Sequence, residues 1–203
     1  MTKTDALMAD LAEASRIAKA GEDMPLVGGP IGLMWGILLT SILTMHYIII
    51  TQTLAISQQN LIFFWFAFVI IGVAGSIFLG KKIDKKPGAY STSNRVESYV
   101  WIMFGGMMGA LSVGVILNQL FGNGSYELWT LVVIFGFAGQ GLAYGVVAKL
   151  TGQAWSHFAS FASFTMAAMT MSFYNSAIIY LLAALGAFVT IVIPSLMTIR
   201  KEN

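Results

Sequence analysis

The chain has 203 residues, of which 57% are hydrophobic and only 10% charged, and its mean hydropathy is +0.78. Soluble domains carry roughly 25% charged residues, so this chain lacks the polar cover of a water-exposed globule. Its net charge of +2 makes no electrostatic case for nucleic acid, and with no cysteine there is no disulfide, thiolate metal site or redox dithiol.

The first apolar run begins only near Leu26 and is too long for the apolar region of a signal peptide, so an uncleaved first span is expected. Ahead of it, residues 5–20 read as a short amphipathic helix. Thr4 is the expected N-cap, Leu7, Leu11, Ala14 and Ala18 form one face, Arg16 and Lys19 fall in the last turn, and Gly21 is the expected C-cap. Such a helix either packs against the end of a bundle or lies in the headgroup plane. The segment Met24–Pro30, with two prolines and two glycines, reads as an elbow.

Six apolar runs follow, at 31–53, 60–80, 98–120, 128–150, 153–173 and 176–199. Each is close to the roughly 20 residues that cross about 30 Å of hydrocarbon as a helix. In lipid each must be helical, because its backbone amides have no water to bond. The expected fold is therefore all-α: a polytopic six-helix transmembrane bundle of three hairpins over 30–200, preceded by a cytoplasmic helix and elbow at 1–29 and followed by a tail at 201–203. All 11 Lys and Arg fall before the first span, between the second and third, at the fourth-to-fifth link or after the sixth. The opposite loops hold only Glu127. The positive-inside rule then places both termini and the 81–97 loop in the cytoplasm, as for a multi-pass inner (plasma) membrane protein. Trp65, Gly72, Ala74 and Gly75 recur as Trp129, Gly136, Ala138 and Gly139, which suggests a repeated hairpin; shared packing demands produce the same pattern without duplication.

No Asp, Glu, Lys or Arg falls in the central part of any run, which argues against ion pumps, carboxylate-driven symporters and hydrolytic enzymes. No cofactor or metal is expected. His46 and His157 are too far apart in depth to share a metal. His46 reads either as a gating imidazole or as an interhelical hydrogen-bonding group. Two polar stripes stand out: Thr40, Thr44, Tyr47 and Thr51 on the first span, and Ser156, Ser160 and Ser163 with Thr170 on the fifth. Facing each other, they would line a narrow solute path; otherwise they form packing seams. Gln140, mid-span, needs a protein partner. Gly32/Gly36, Gly105/Gly109 and Gly141/Gly145 are GxxxG pairs that permit close crossings within the chain or in a homo-oligomer. Pro194 is expected to kink the last span. Asn94 with Glu97 reads as a capping box for the third. Lys81, Lys82, Lys85 and Lys86 form a basic loop, either a plain topology determinant or a contact for anionic lipid.

Pro30-Ile31-Gly32-Leu33-Met34, followed by Thr40 and His46, is similar to the first-helix signature of the small acetate/succinate channel family, over less than a tenth of the chain. The Asn that opens the family motif is Gly28 or Gly29 here. The resemblance implies six helices, cytoplasmic termini and a hexamer with separate pores. The residues themselves leave two expectations. One is an integral membrane protein of structural or regulatory type with a cytoplasmic face for a partner. The other is a passive channel or facilitator for a small neutral or weak-acid solute.

Overall fold

The computed structural model describes residues 3–22, 26–122, 124 and 127–202, and no strand occurs among them. The helices are α1 (Lys3–Glu22), α2 (Gly29–Ile50), α3 (Leu61–Ile83), α4 (Thr92–Phe121), α5 (Leu128–Thr151), α6 (Ala154–Ser172), α7 (Ile178–Ala187) and α8 (Ile193–Glu202). A π-helical segment, Phe188–Val192, joins α7 to α8 without a break. Local chemistry sets most of the ends. Pro30 sits in the first turn of α2, where its missing N–H costs nothing. Gly152 closes α5 in the left-handed conformation (φ +64°), so the chain reverses into α6 within two residues. Gln52 and Asn175 take positive φ in the links after α2 and α6.

Five stretches are long and apolar enough to cross a membrane: α2, α3 with its preceding turn, α4, α5 and the α7–π–α8 unit. The expected six-span count is not reproduced by this measure, because the 19 residues of α6 include His157, four serines and two threonines and are too polar. Three local expectations are corrected. α1 begins at Lys3, ahead of the expected Thr4 cap, and runs through Gly21 to Glu22. The N-cap of α4 is Ser91, whose side chain accepts from the Asn94 N–H (3.3 Å), rather than Asn94 itself. The Pro194 distortion takes the form of a widened π turn immediately upstream. Met24 and Pro25 of the elbow, Asn123 and Ser125 of the outer turn and Asn203 lie outside the described residues.

α7 occupies the middle of the bundle. Ile179, Ala183, Ala184 and Ala187 are buried, and the three alanines let α2 and α6 approach closely. Around it the main core gathers Ile42 and Leu43 of α2, Ile134 and Phe137 of α5, and Tyr180. α2 packs on α3, α7, the π segment and α8, while α5 packs on α4 and most extensively on α6. α3 and α4 are therefore outer members, each seated on one neighbouring span, and they do not pack along one another.

The two glycine notches of the repeated pattern are filled in the same way, from the preceding helix. Gly72 and Gly75 of α3 receive Trp35 and Met34 of α2; Gly136 and Gly139 of α5 receive Met108, Met107 and Phe104 of α4. Gly29, Gly32 and Gly36 receive Ile199, Ser195 and Val192, so this GxxxG pair serves the crossing of α2 with α8 and the π segment inside the chain. Gly141 and Gly145 do the same for α5 and α6, against Phe164 and Ser160. Gly105 and Gly109 meet nothing within 4 Å.

A Cβ at Gly72 would overlap the rigid six-membered ring of Trp35. Gly72→Ala is expected to lower stability by about 1–3 kcal/mol through overpacking. Gly109→Ala, in open space, is expected to leave it unchanged or raise it by up to about 1 kcal/mol through helix propensity. Equilibrium unfolding in mixed micelles checks both.

Candidate functional site

The polar side chains of the bundle collect in three places. The deepest is a junction of α5, α6 and the π segment. Gln140 Nε2 donates to Thr190 Oγ1 (2.7 Å), to Ser163 Oγ (3.1 Å) and to the Thr190 carbonyl (3.3 Å). The two hydroxyls send their own protons along their helices, Ser163 to the Ala159 carbonyl and Thr190 to that of Gly186. Their lone pairs are thus free to accept from the amide. The backbone explains the third bond. Pro194 has no N–H to give to the carbonyl four residues earlier, that of Thr190, and the preceding turn is already widened, with the Ile193 N–H bonding Phe188. The amide has two hydrogens, so this longest contact shares one of them, and it falls on a carbonyl to which Pro194 can give no N–H. All three polar residues are nearly fully buried, so an unpaired group there would be costly. One turn towards the start of α6, Ser160 Oγ donates to the Gly141 carbonyl (2.7 Å), in the space left by the missing side chain of Gly145.

The second place lies near the end of the bundle opposite the lysine loop. The His46 ring stacks on Tyr180 (centroids 3.7 Å apart, planes 13° from parallel), and Trp65 Nε1 donates to His46 Nδ1 (3.1 Å). With Nδ1 accepting, the neutral ring carries its proton on Nε2. One imidazole thereby links α2, α3 and α7. Above it, Tyr180, Ile50, Glu127, Thr130 and Asn175 line an open cleft of about 270 Å³.

The third place is the opposite, basic end, where the elbow is clamped onto the start of α4. Asn94 Oδ1 accepts from the Val27 N–H (2.9 Å), and Asn94 Nδ2 donates to the Gly88 carbonyl (3.0 Å). The Glu97 carboxylate accepts from the Gly28 N–H and the Trp101 indole. Trp101 meets the Tyr144 ring edge-on at 5.0 Å, and Tyr144 in turn meets Trp155 at 6.2 Å. Leu26 and Val27 are buried beneath this cluster.

The structure brings Gln140, Ser160 and Ser163 together on the α5–α6 seam. Ser156 lies on the same side of α6, with its buried hydroxyl lacking a partner among the described residues. Thr40, Thr44 and Tyr47 belong to a different set of contacts, since α2 packs on α3, α7, the π segment and α8. Thr44 Oγ1 donates back to the Thr40 carbonyl (2.8 Å), Thr40 Oγ1 is buried without a partner among the described residues, and Tyr47 borders the main core. His157 is exposed. α2 and α6 share α7, the π segment and α8 as neighbours but do not pack along one another, so the two stripes do not form a common seam. Sequence reasoning missed Thr190, Trp65, Tyr180 and the Val27–Asn94 clamp. For Thr190 the signal was available: a hydroxyl residue four positions before a proline inside an apolar span.

If Gln140 replaces the donor that proline withholds, the two positions are coupled. Gln140→Leu is expected to cost about 1 kcal/mol in the native background, within the range of interhelical bonds in membranes. In a Pro194→Ala background, where the restored backbone amide bonds the Thr190 carbonyl, it is expected to cost measurably less. A double-mutant cycle of unfolding free energies reads the difference.

No known protein family, curated protein or solved structure matches this chain, so the likeness of residues 30–46 to the acetate/succinate channels has no wider match beside it.

Proposed function

We propose that the chain is a six-span plasma-membrane protein of structural or regulatory type, with both termini and the 81–97 segment in the cytoplasm. α6 is the sixth span in this reading. Its 19 residues reach about 28 Å, and it lies against α5 and α7, so protein rather than lipid meets its buried hydroxyls. Leaving α6 out of the count would carry Arg200 and Lys201 to the side opposite Lys149, against the positive-inside rule.

The observation that carries the structural reading is the closed junction at Gln140. Its amide, Ser163, Thr190 and Ser160 are hydrogen-bonded helix to helix, which is what a packing seam requires and a solute path does not. The surfaces left for a cytoplasmic partner are the basic loop and α1, which touches α4 lightly and exposes Leu7, Met8 and Leu11. A passive facilitator for a small neutral or weak-acid solute is the second reading. It draws on the outer cleft, whose floor at Tyr180 stacks on His46.

Liposomes containing the purified protein are expected to pass acetate, glycerol and urea no faster than protein-free liposomes. Faster flux, lost in Thr44→Leu or His46→Leu protein that remains folded, would replace the structural reading with the second. Single cysteines added to this cysteine-free chain at Lys3 and Lys85 are expected to label from the same side of the membrane. Labelling from opposite sides would overturn the topology.

A further inference from the structure

The elbow ahead of α2 is held by two side chains of α4. Asn94 takes the Val27 N–H, and the Glu97 carboxylate takes the next one, that of Gly28, while also accepting from the Trp101 indole. With two successive amides bound, Leu26 and Val27 are drawn into the protein, 1% and 4% exposed. The two holds differ in kind. Asn94 is neutral and anchored behind, its Nδ2 donating to the Gly88 carbonyl (3.0 Å) and to Ser91 Oγ (3.0 Å). Glu97 is titratable. Both its carboxylate oxygens lie within 3.4 Å of where a Gly28 Cβ would sit, and the rest of the residue keeps some contact with solvent.

Among the described residues no cation pairs with this carboxylate. Tyr144, a phenol, faces it from α5. The elbow residues 26–28 bring no titratable group, and Asp5, Asp10 and Glu13 of α1, Arg95 of α4 itself and Arg200 and Lys201 of α8 are all exposed. The 30 residues of α4 reach about 45 Å, roughly 15 Å more than the hydrocarbon core, so Glu97 in the second turn stands at the water-facing end, within the 81–97 segment. There burial pushes its carboxyl up from 4.5 to about 7, against the smaller downward pull of its two hydrogen bonds. The neutral acid keeps a carbonyl oxygen for the Gly28 N–H, whereas the ionised form gains by moving into water.

We propose that the elbow is a pH-operated latch, in which protonated Glu97 holds Val27 and Gly28 on α4 and ionised Glu97 lets them go. α2 stays seated through Ile199, Ser195 and Val192 at its glycines, so release frees the elbow and α1 alone. In the released state the solvated carboxyl regains its ordinary value. The latched state is therefore most favoured below about 4.5, loses ground as the pH rises to about 7, and changes no further above that. The latch goes beyond the structural reading and does not depend on which side of the membrane the elbow occupies.

The test is maleimide labelling of the full-length protein in detergent micelles, where both ends meet the same pH. One cysteine is introduced at a time into this cysteine-free chain: V27C in the latch, V192C buried in the π segment, and Y90C at a fully reactive surface position. Dividing each rate by that of Y90C removes the pH dependence of the thiolate itself. The V27C ratio is expected to rise at least about tenfold from pH 5.5 to 7.5, as follows from a carboxyl that moves from about 7 to 4.5 on release, while the V192C ratio stays constant. E97Q is expected to abolish the pH dependence at V27C. N94A, which removes the neutral hold, is expected to raise the V27C ratio at every pH and to keep its slope. A V27C ratio that does not change with pH, a pH dependence that survives E97Q, or a parallel rise at V192C, which would mean loosening of the whole bundle, would each overturn the latch.

Discussion

The carbonyl of Thr190 faces a proline four residues on and receives no amide hydrogen from it, in a place where no water arrives to replace one. The packing of the second half of the chain answers that deficit. α5 comes close enough for Gln140 to donate, α6 offers Ser163 to the same amide, and the π turn widens the last span so that Thr190 points its hydroxyl into the junction. In a bundle whose helices gain little from apolar burial against one another, such a bond is a specific reason for three helices to meet in one register.

The outer hairpins are held differently. α3 leans on α2 through Trp35 in the Gly72 notch, and by two indole bonds, Trp35 Nε1 to Ser76 Oγ (2.8 Å) and Trp65 Nε1 to His46. α4 leans on α5 through methionines and a phenylalanine at the corresponding glycines. The two notches repeat in sequence and in use, each filled from the preceding helix. That shared arrangement fits a duplicated hairpin, with bulky partners that have diverged. In the third hairpin Gly186 of α7 receives Met166 of α6 together with Phe137 of α5, and α5 and the α7–π–α8 unit form the interior while α3 and α4 form the flanks.

This division bears on what the protein can do. The interior side chains with hydrogen-bonding capacity are mostly spent on one another, and the elbow is locked to α4 by Asn94 and Glu97. What remains unspent is peripheral: the exposed apolar side of α1, the lysine loop, and the exposed apolar faces of α3 and α4. It is on this division that the proposed structural role draws.

Much was legible in the residues alone, because the bilayer imposes few solutions. Run length and the one-sided placement of Lys and Arg were enough to locate the helices to within a few residues at most ends, and the hydrogen-bonding capacity of Gln140 marked it as needing a partner. α6 was the weakest case: its hydroxyls lower its hydropathy, and only burial against α5 and α7 explains why a helix so polar belongs in the bundle. Pairing was not legible at all. Serines spaced along α6 and threonines along α2 look alike as stripes, and hydroxyl spacing carries no information about which helix lies opposite. The tertiary structure decided that the α6 serines face α5, that Asn94 and Glu97 hold the elbow instead of capping α4, and that one of three GxxxG pairs stays open. The physical reason is range: helix formation in lipid is dictated by each segment's own backbone and composition, whereas the partner of a side chain is set by contacts between residues as far apart as Gln140 and Thr190, or Val27 and Asn94.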